Sequence, residues 1–101
     1  MAKSDEFGRL LGGAINSIAY YEGKLIPAIE EEFAQLLHLS RFSVQRYKRG
    51  HIPPETEWTK TLAQQCLKRA MLDRRWAVRF LRSAQYPGAK ALVSELEAER
   101  G

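Results

Sequence analysis

The chain is expected to fold as an all-α protein, a compact bundle of five to six helices. Three observations predict this. Apolar residues recur at spacings of three and four through most of the 101 residues, the period of a helix with one buried face. No segment alternates apolar and polar residues strictly enough for a half-buried strand. Capping residues and glycine or proline stops fall where the periodic stretches begin and end. The length suits one domain over residues 1–101 with a single modest core, and no internal repeat is visible.

The first helix starts at Ser4, whose hydroxyl can cap it, with Asp5 and Glu6 placed to suit the positive end of the helix dipole. Phe7, Leu10, Leu11, Ala14, Ile15 and Ile18 form its stripe. Gly12 and Gly13 each cost about 1 kcal/mol against alanine and point to close helix packing or a weak point. Tyr20 and Tyr21 are expected at the core edge before the Gly23 stop. Pro27 fits the first turn of a second helix, about residues 28–37, with Ile29, Phe33, Leu36 and Leu37 buried. His38, Leu39 and Ser40 make a turn, Ser40 caps a third helix over residues 41–49, and Gly50 stops it. His51 to Pro54 form a stiff extended link. A fourth helix over about 55–71 sets Trp58, Leu62, Cys66 and Arg69 on one line, with Ala63, Leu67, Ala70 and Met71 beside it. Asp73 caps a fifth through Ser83, striped by Trp76, Ala77, Phe80, Leu81 and Ala84 and surrounded by Arg74, Arg75, Arg79 and Arg82. After a Tyr86-Pro87-Gly88 turn, a last helix to about Glu99 buries Ala89, Leu92, Val93 and Leu96.

Charge is segregated along this chain. The net charge is +4, yet residues 1–39 carry three basic and six acidic side chains, residues 40–85 eleven and three, and residues 86–101 two and three. The middle block alone is therefore +8. A clustered basic surface is the footprint of a polyanion binder; the plainer alternative is a solvated helix face, since Arg and Lys are good helix formers.

No apolar run approaches the roughly 18 residues of a membrane span, and the N-terminus lacks the apolar stretch of a signal peptide. A cytoplasmic location is the expectation, with no membrane partner. Cys66 is the only cysteine, so it can form no internal disulfide and reads as a small buried hydrophobe. His38 and His51 flank the third helix with neither metal-ligand spacing nor an adjacent nucleophile pattern. No catalytic constellation, metal site or cofactor is expected, and the chain is not read as an enzyme.

The stretch from Glu30 to Pro54, EEEFAQLLHLSRFSVQRYKRGHIPP, is where chemistry gathers. It reads as a helix-turn-helix at about 30–50, with a helical extension at about 73–100. Ala34 is small enough for a helix crossing; Phe33, Leu37, Leu39, Val44 and Tyr47 stand at spacings that pin the pair to a core. His38 occupies a turn position that usually takes glycine for its left-handed backbone.

On Ala34, Leu39, Ser40, Val44, Tyr47, Arg49, Gly50 and Pro53, this stretch resembles the lambda-repressor-like helix-turn-helix family, the Cro or xenobiotic-response-element type. The resemblance covers about 25 residues. It implies sequence-specific binding of double-stranded DNA by a transcriptional regulator or DNA-targeting domain, with the second helix of the pair in the major groove. By matching positions, the contact residues are Ser40, Arg41, Phe42, Gln45 and Arg46 toward base edges, and Lys48, Arg49 and His51 toward phosphates. Solvation is the alternative for Arg41, Gln45 and Arg46, and a core position for Phe42. Glu30 stands where the family carries glutamine; a carboxylate there repels the duplex if it faces it. Many such domains pair as homodimers, and the terminal helices, above all the acidic segment from Gly88 to Glu99, are the candidate contact.

The tail DRRWAVRFLRSAQYPGAKALVSEL is similar to the end of N-terminal helical domains that precede nucleotide-binding signalling ATPases in some bacteria. That resemblance, with Phe42 and the three glutamates, keeps a second reading open, a module that retains the helix-turn-helix scaffold and docks a protein. An RNA partner lacks the aromatic stacking platform it needs.

Overall fold

The element order is α1 (Asp5–Glu22), α2 (Ile26–Leu37), α3 (Arg41–Lys48), α4 (Thr56–Arg69), α5 (Arg74–Ser83) and α6 (Ala89–Arg100). This is the computed structural model of the chain, which describes residues 3–100; Met1, Ala2 and Gly101, included in the expected domain, lie outside the described residues. The all-α bundle of six helices agrees with the sequence reading. The one extended feature among the described residues is an isolated antiparallel bridge between Lys3 and His51.

Local signals account for most helix ends. Ser4 accepts the N–H of Phe7 at 3.2 Å, and Asp73 accepts that of Trp76 at 2.9 Å, each satisfying a first-turn donor that has no helical partner. Ser40 stands at the N-cap position of α3, but its hydroxyl makes no capping bond. At their C-termini α1, α2 and α3 all turn left-handed. In α1 the residue is Gly23, whose closure places the Lys24 N–H on Ala19 O at 2.9 Å. In α2 it is His38, at φ 57, with the Leu39 N–H on Ala34 O at 2.8 Å. In α3 it is Gly50, at φ 104, with the His51 N–H on Arg46 O at 3.2 Å. These are Schellman closures, which satisfy the last carbonyls of a helix.

The core gathers around α1, which touches α2, α3, α4 and α5, while α6 packs on α5. Phe7, Leu11, Ile15 and Ile18 of α1 are fully buried with Ile29 and Phe33 of α2, Val44 of α3, Leu62 and Cys66 of α4, and Phe80 and Leu81 of α5. Phe80 sits between two rings, stacked on Phe7 at 4.7 Å and on Trp76 at 4.8 Å between centroids. The radius of gyration, 12.3 Å, is close to the roughly 13 Å of a 100-residue chain around one core.

Several expectations are corrected. Tyr20 and Tyr21 are exposed, 83% and 61%, because Ile18 and Ala19 take the inward arc and the next two positions turn outward. Leu36 is 49% exposed; the inward arc of α2 runs through Ile29, Glu30, Phe33, Ala34 and Leu37, and Leu36 lies at its edge. Met71 is exposed because α4 ends at Arg69 and Met71, at φ 54, has left the helical period. The helix boundaries shift by one or two residues, with α2 starting at Ile26 and α3 ending at Lys48.

Of the two readings of Gly12 and Gly13, close packing is not found at either, and the tight contact is at Gly8. A Cβ there would stand 2.5 Å from Lys48 O and 2.7 Å from Gly50 N, whereas one at Gly13 would meet nothing within 4 Å. The Ser4 N–H donates to Gly50 O at 2.8 Å beside it. The start of α1 is thereby fastened to the end of α3.

Candidate functional site

The turn between α2 and α3 sets the site. It is short, three residues from His38 to Ser40, and its left-handed residue folds α3 back across α2. Val44 and Tyr47 bury the inner face of α3. The outer face is left with Arg41, Phe42 and Arg49, all exposed, and Ser40 exposed at its start. Phe42, for which the sequence leaves a core position open, is 63% exposed.

The sequence leaves the orientation of Glu30 open. Glu30 does not face outward; it is 3% exposed. Its carboxylate accepts Lys48 Nζ at 2.8 Å and Gln45 Nε2 at 3.5 Å, and Arg41 Nε stands 4.0 Å away. A buried carboxylate is tolerated when it is paired and hydrogen-bonded, and α3 supplies those partners. Two expected contact residues, Gln45 and Lys48, are thus drawn toward α2 as struts between the helices. Glu31 is exposed, and Glu32 turns to a different cluster.

Arg46 and His51 lie elsewhere on α3 and its exit. With Ser43, Tyr47, Pro53, Trp58, Ala84 and Gln85 they line a groove of about 590 Å³ between α3, the 51–54 link and the end of α5. The Nδ1 of His51 is buried there with no hydrogen-bond partner among the described residues. Burial pushes the Tyr47 phenol above its ordinary range, opposed by the charge of Arg46. The predicted contact residues therefore divide into three sets: Ser40, Arg41, Phe42 and Arg49 on the open face, Gln45 and Lys48 on Glu30, Arg46 and His51 in the groove.

A second cluster was not foreseen. Arg69, placed by the sequence on the apolar line of α4, donates to both oxygens of Glu22 at 2.8 and 2.6 Å and to Glu32 at 2.6 Å. Lys24 completes it, 3.3 Å from Glu22 and 3.0 Å from Glu32. Hydrogen bonding from Arg69 brings the Glu22 carboxyl down to about 2, and Lys24 followed by Arg69 lowers that of Glu32. The signal for it was a charge at the end of an otherwise apolar stripe. The cluster ties three helices and leaves the α3 face untouched.

Burial pushes the Cys66 thiol up, so it stays protonated at neutral pH. In α6, within the segment named as the candidate dimer contact, Ala89, Leu92, Val93 and Leu96 are buried within the chain as expected. The stripe is therefore already covered; what α6 turns outward is Lys90, Ala91, Ser94, Glu95 and Glu97. No helix is long and apolar enough to cross a membrane among the described residues. Comparison of this chain with family models, curated proteins and solved structures finds no match.

Proposed function

We propose that the chain binds double-stranded DNA through α3, in the manner of lambda-repressor-like domains, as a transcriptional regulator or the DNA-targeting part of a larger cytoplasmic assembly. The observation that carries this reading is the division of α3. Its inner face is fixed by Val44, Tyr47 and the Glu30 struts, while Arg41, Phe42 and Arg49 stand exposed on a rigid support. Arginine suits the O6 and N7 of guanine, and an aromatic edge suits a thymine methyl. The inward turn of Glu30 supports the reading too, since the carboxylate is neutralised by α3 and is not presented to a phosphate.

The test is binding to random duplex at rising salt, repeated for the double variant Arg41→Ala, Arg49→Ala. The expected result is measurable binding at low salt that weakens steeply with salt, and at least a tenfold loss in the variant. Unchanged affinity in the variant removes α3 as the interface.

The second reading, a protein-docking module on the same scaffold, is favoured by Phe42, a large aromatic left open, and by the engagement of Gln45 and Lys48 with Glu30. Absence of duplex binding even at low salt selects it.

A further inference from the structure

The basic residues of α5 form a surface that the α3 reading does not use. Arg75, Arg79 and Arg82 follow one another at spacings of four and three, which places them on one helix face. With Asp73, Arg74 and Val78 they line one open groove of about 570 Å³. The opposite face of α5 carries Ala77, Phe80 and Leu81 into the core, so the arginines are held on a buried support.

Counter-charge reaches this face only in part. Arg74 is drawn to α6, donating to Glu97 at 2.6 Å and Ser94 at 3.2 Å. Arg79 donates to Glu6 at 2.8 Å in an open pair. Asp73 accepts the Trp76 N–H as the helix cap. Arg75 and Arg82 are exposed and have no ion-pair partner among the described residues. Like charges on adjacent turns repel, and among the described residues Glu6 offsets that repulsion at Arg79 alone of the three. The three guanidinium groups span seven residues, about 10 Å of helix axis. That spread suits a ligand with charges repeated along its length better than one small anion.

The position of α5 narrows the partner. Gln85, three residues beyond Arg82, lines the same groove as Arg46 and His51 of the α3 exit. The start of α1 lies between the two helices, meeting α5 through Glu6 and Phe7 and α3 through Gly8. The end of α5 and the exit of α3 thus line one groove, and both helices meet the start of α1.

We propose that Arg75, Arg79 and Arg82 form a second contact with the duplex, to its phosphate backbone and without regard to sequence. The inference rests on the duplex reading of α3 and enlarges its footprint. Guanidinium groups in a row grip phosphate oxygens and release condensed counterions, and each phosphate neutralised steepens the salt dependence of binding by about 0.9 in the log–log slope.

The experiment compares the salt dependence of random-duplex binding for the wild-type chain, the double variant Arg75→Gln, Arg82→Gln, and Arg41→Ala. Since Arg75 and Arg82 hold no ion pair among the described residues, the double variant is expected to keep the wild-type melting temperature. Its slope is expected to be shallower by about 2, with its preference among duplex sequences retained. Arg41→Ala is expected to alter that preference. Wild-type slope and affinity in the double variant overturn the proposal while leaving the α3 reading intact, and assign the arginines to some other anionic partner. No binding by the wild-type chain at low salt overturns both.

Discussion

Gly8 and Gly13 stand five residues apart on one helix and are expected to respond oppositely to the same change. In Gly8→Ala the new Cβ meets backbone atoms of Lys48 and Gly50 at 2.5 and 2.7 Å, and backbone cannot rotate away. Overpacking of this kind costs about 1–3 kcal/mol, and each kcal/mol lowers the melting temperature of a domain this size by about 4–8 °C. In Gly13→Ala the Cβ meets nothing, so the gain in helix propensity, up to about 1 kcal/mol, raises the melting temperature instead. The sequence did not single out Gly8 because a glycine's helix cost is local, whereas its need is set by a stretch of chain some forty residues away. Glu30 carries a second residue-scale prediction. In Glu30→Gln the charge-assisted bond to Lys48, now 2.8 Å long, is weakened within a nearly closed site, and denaturant unfolding is expected to show a loss of about 1.5–3 kcal/mol. On the duplex reading the same change releases Lys48 to phosphate, and the salt slope steepens by about 1.

Among the elements, the C-termini of α1 and α4 are held to α2 by Glu22, Lys24, Glu32 and Arg69. Glu22 falls from an ordinary 4.5 to about 2 chiefly through its hydrogen bonds with Arg69. A carboxyl lowered in the folded state contributes stability that is present above its unfolded pKa and is lost as pH falls through its folded pKa. The Glu22 contribution is therefore expected to fade between about pH 4.5 and 2, with Glu32 fading in the same direction. These groups are partly open to water, so screening keeps the effect modest. Thermal melts across that range should show a steeper acid loss for the wild type than for Arg69→Met. That variant suits the site because Arg69 also lies over the Phe33 ring, 5.9 Å from its centroid, where an apolar side chain can pack. The α2–turn–α3 pair was legible in advance for the opposite reason: its turn, caps and apolar spacings all lie within about 20 consecutive residues. Even the left-handed His38 could be anticipated, because the turn allows little else. What Leu36 and Glu30 do could not be, since both stand on α2 at spacings that suit a buried or an exposed residue, and for Glu30 it is α3 that decides.

Over the whole molecule, one core and one segregation of charge govern behaviour. Cys66 is fully buried, and burial raises its thiol, so a thiol reagent is expected to label it only as fast as the chain opens. Labelling at pH 8 should therefore be slow in the native protein and rapid in denaturant; fast native labelling would show that α4 detaches on its own. Periodicity, capping side chains and the basic block at 40–85 were enough to determine six helices, their approximate limits and a chain built with one strongly positive segment, because each is written in neighbouring residues. The tertiary structure alone decided that Glu30 points inward to Lys48 across 18 residues and that Arg79 meets Glu6 across 73. It alone decided that Gly8 is the tight contact, and that the end of α5 shares a groove with the exit of α3. Those outcomes depend on which helix faces meet. Meeting faces are selected by packing the entire core at once, which no local stretch of sequence records.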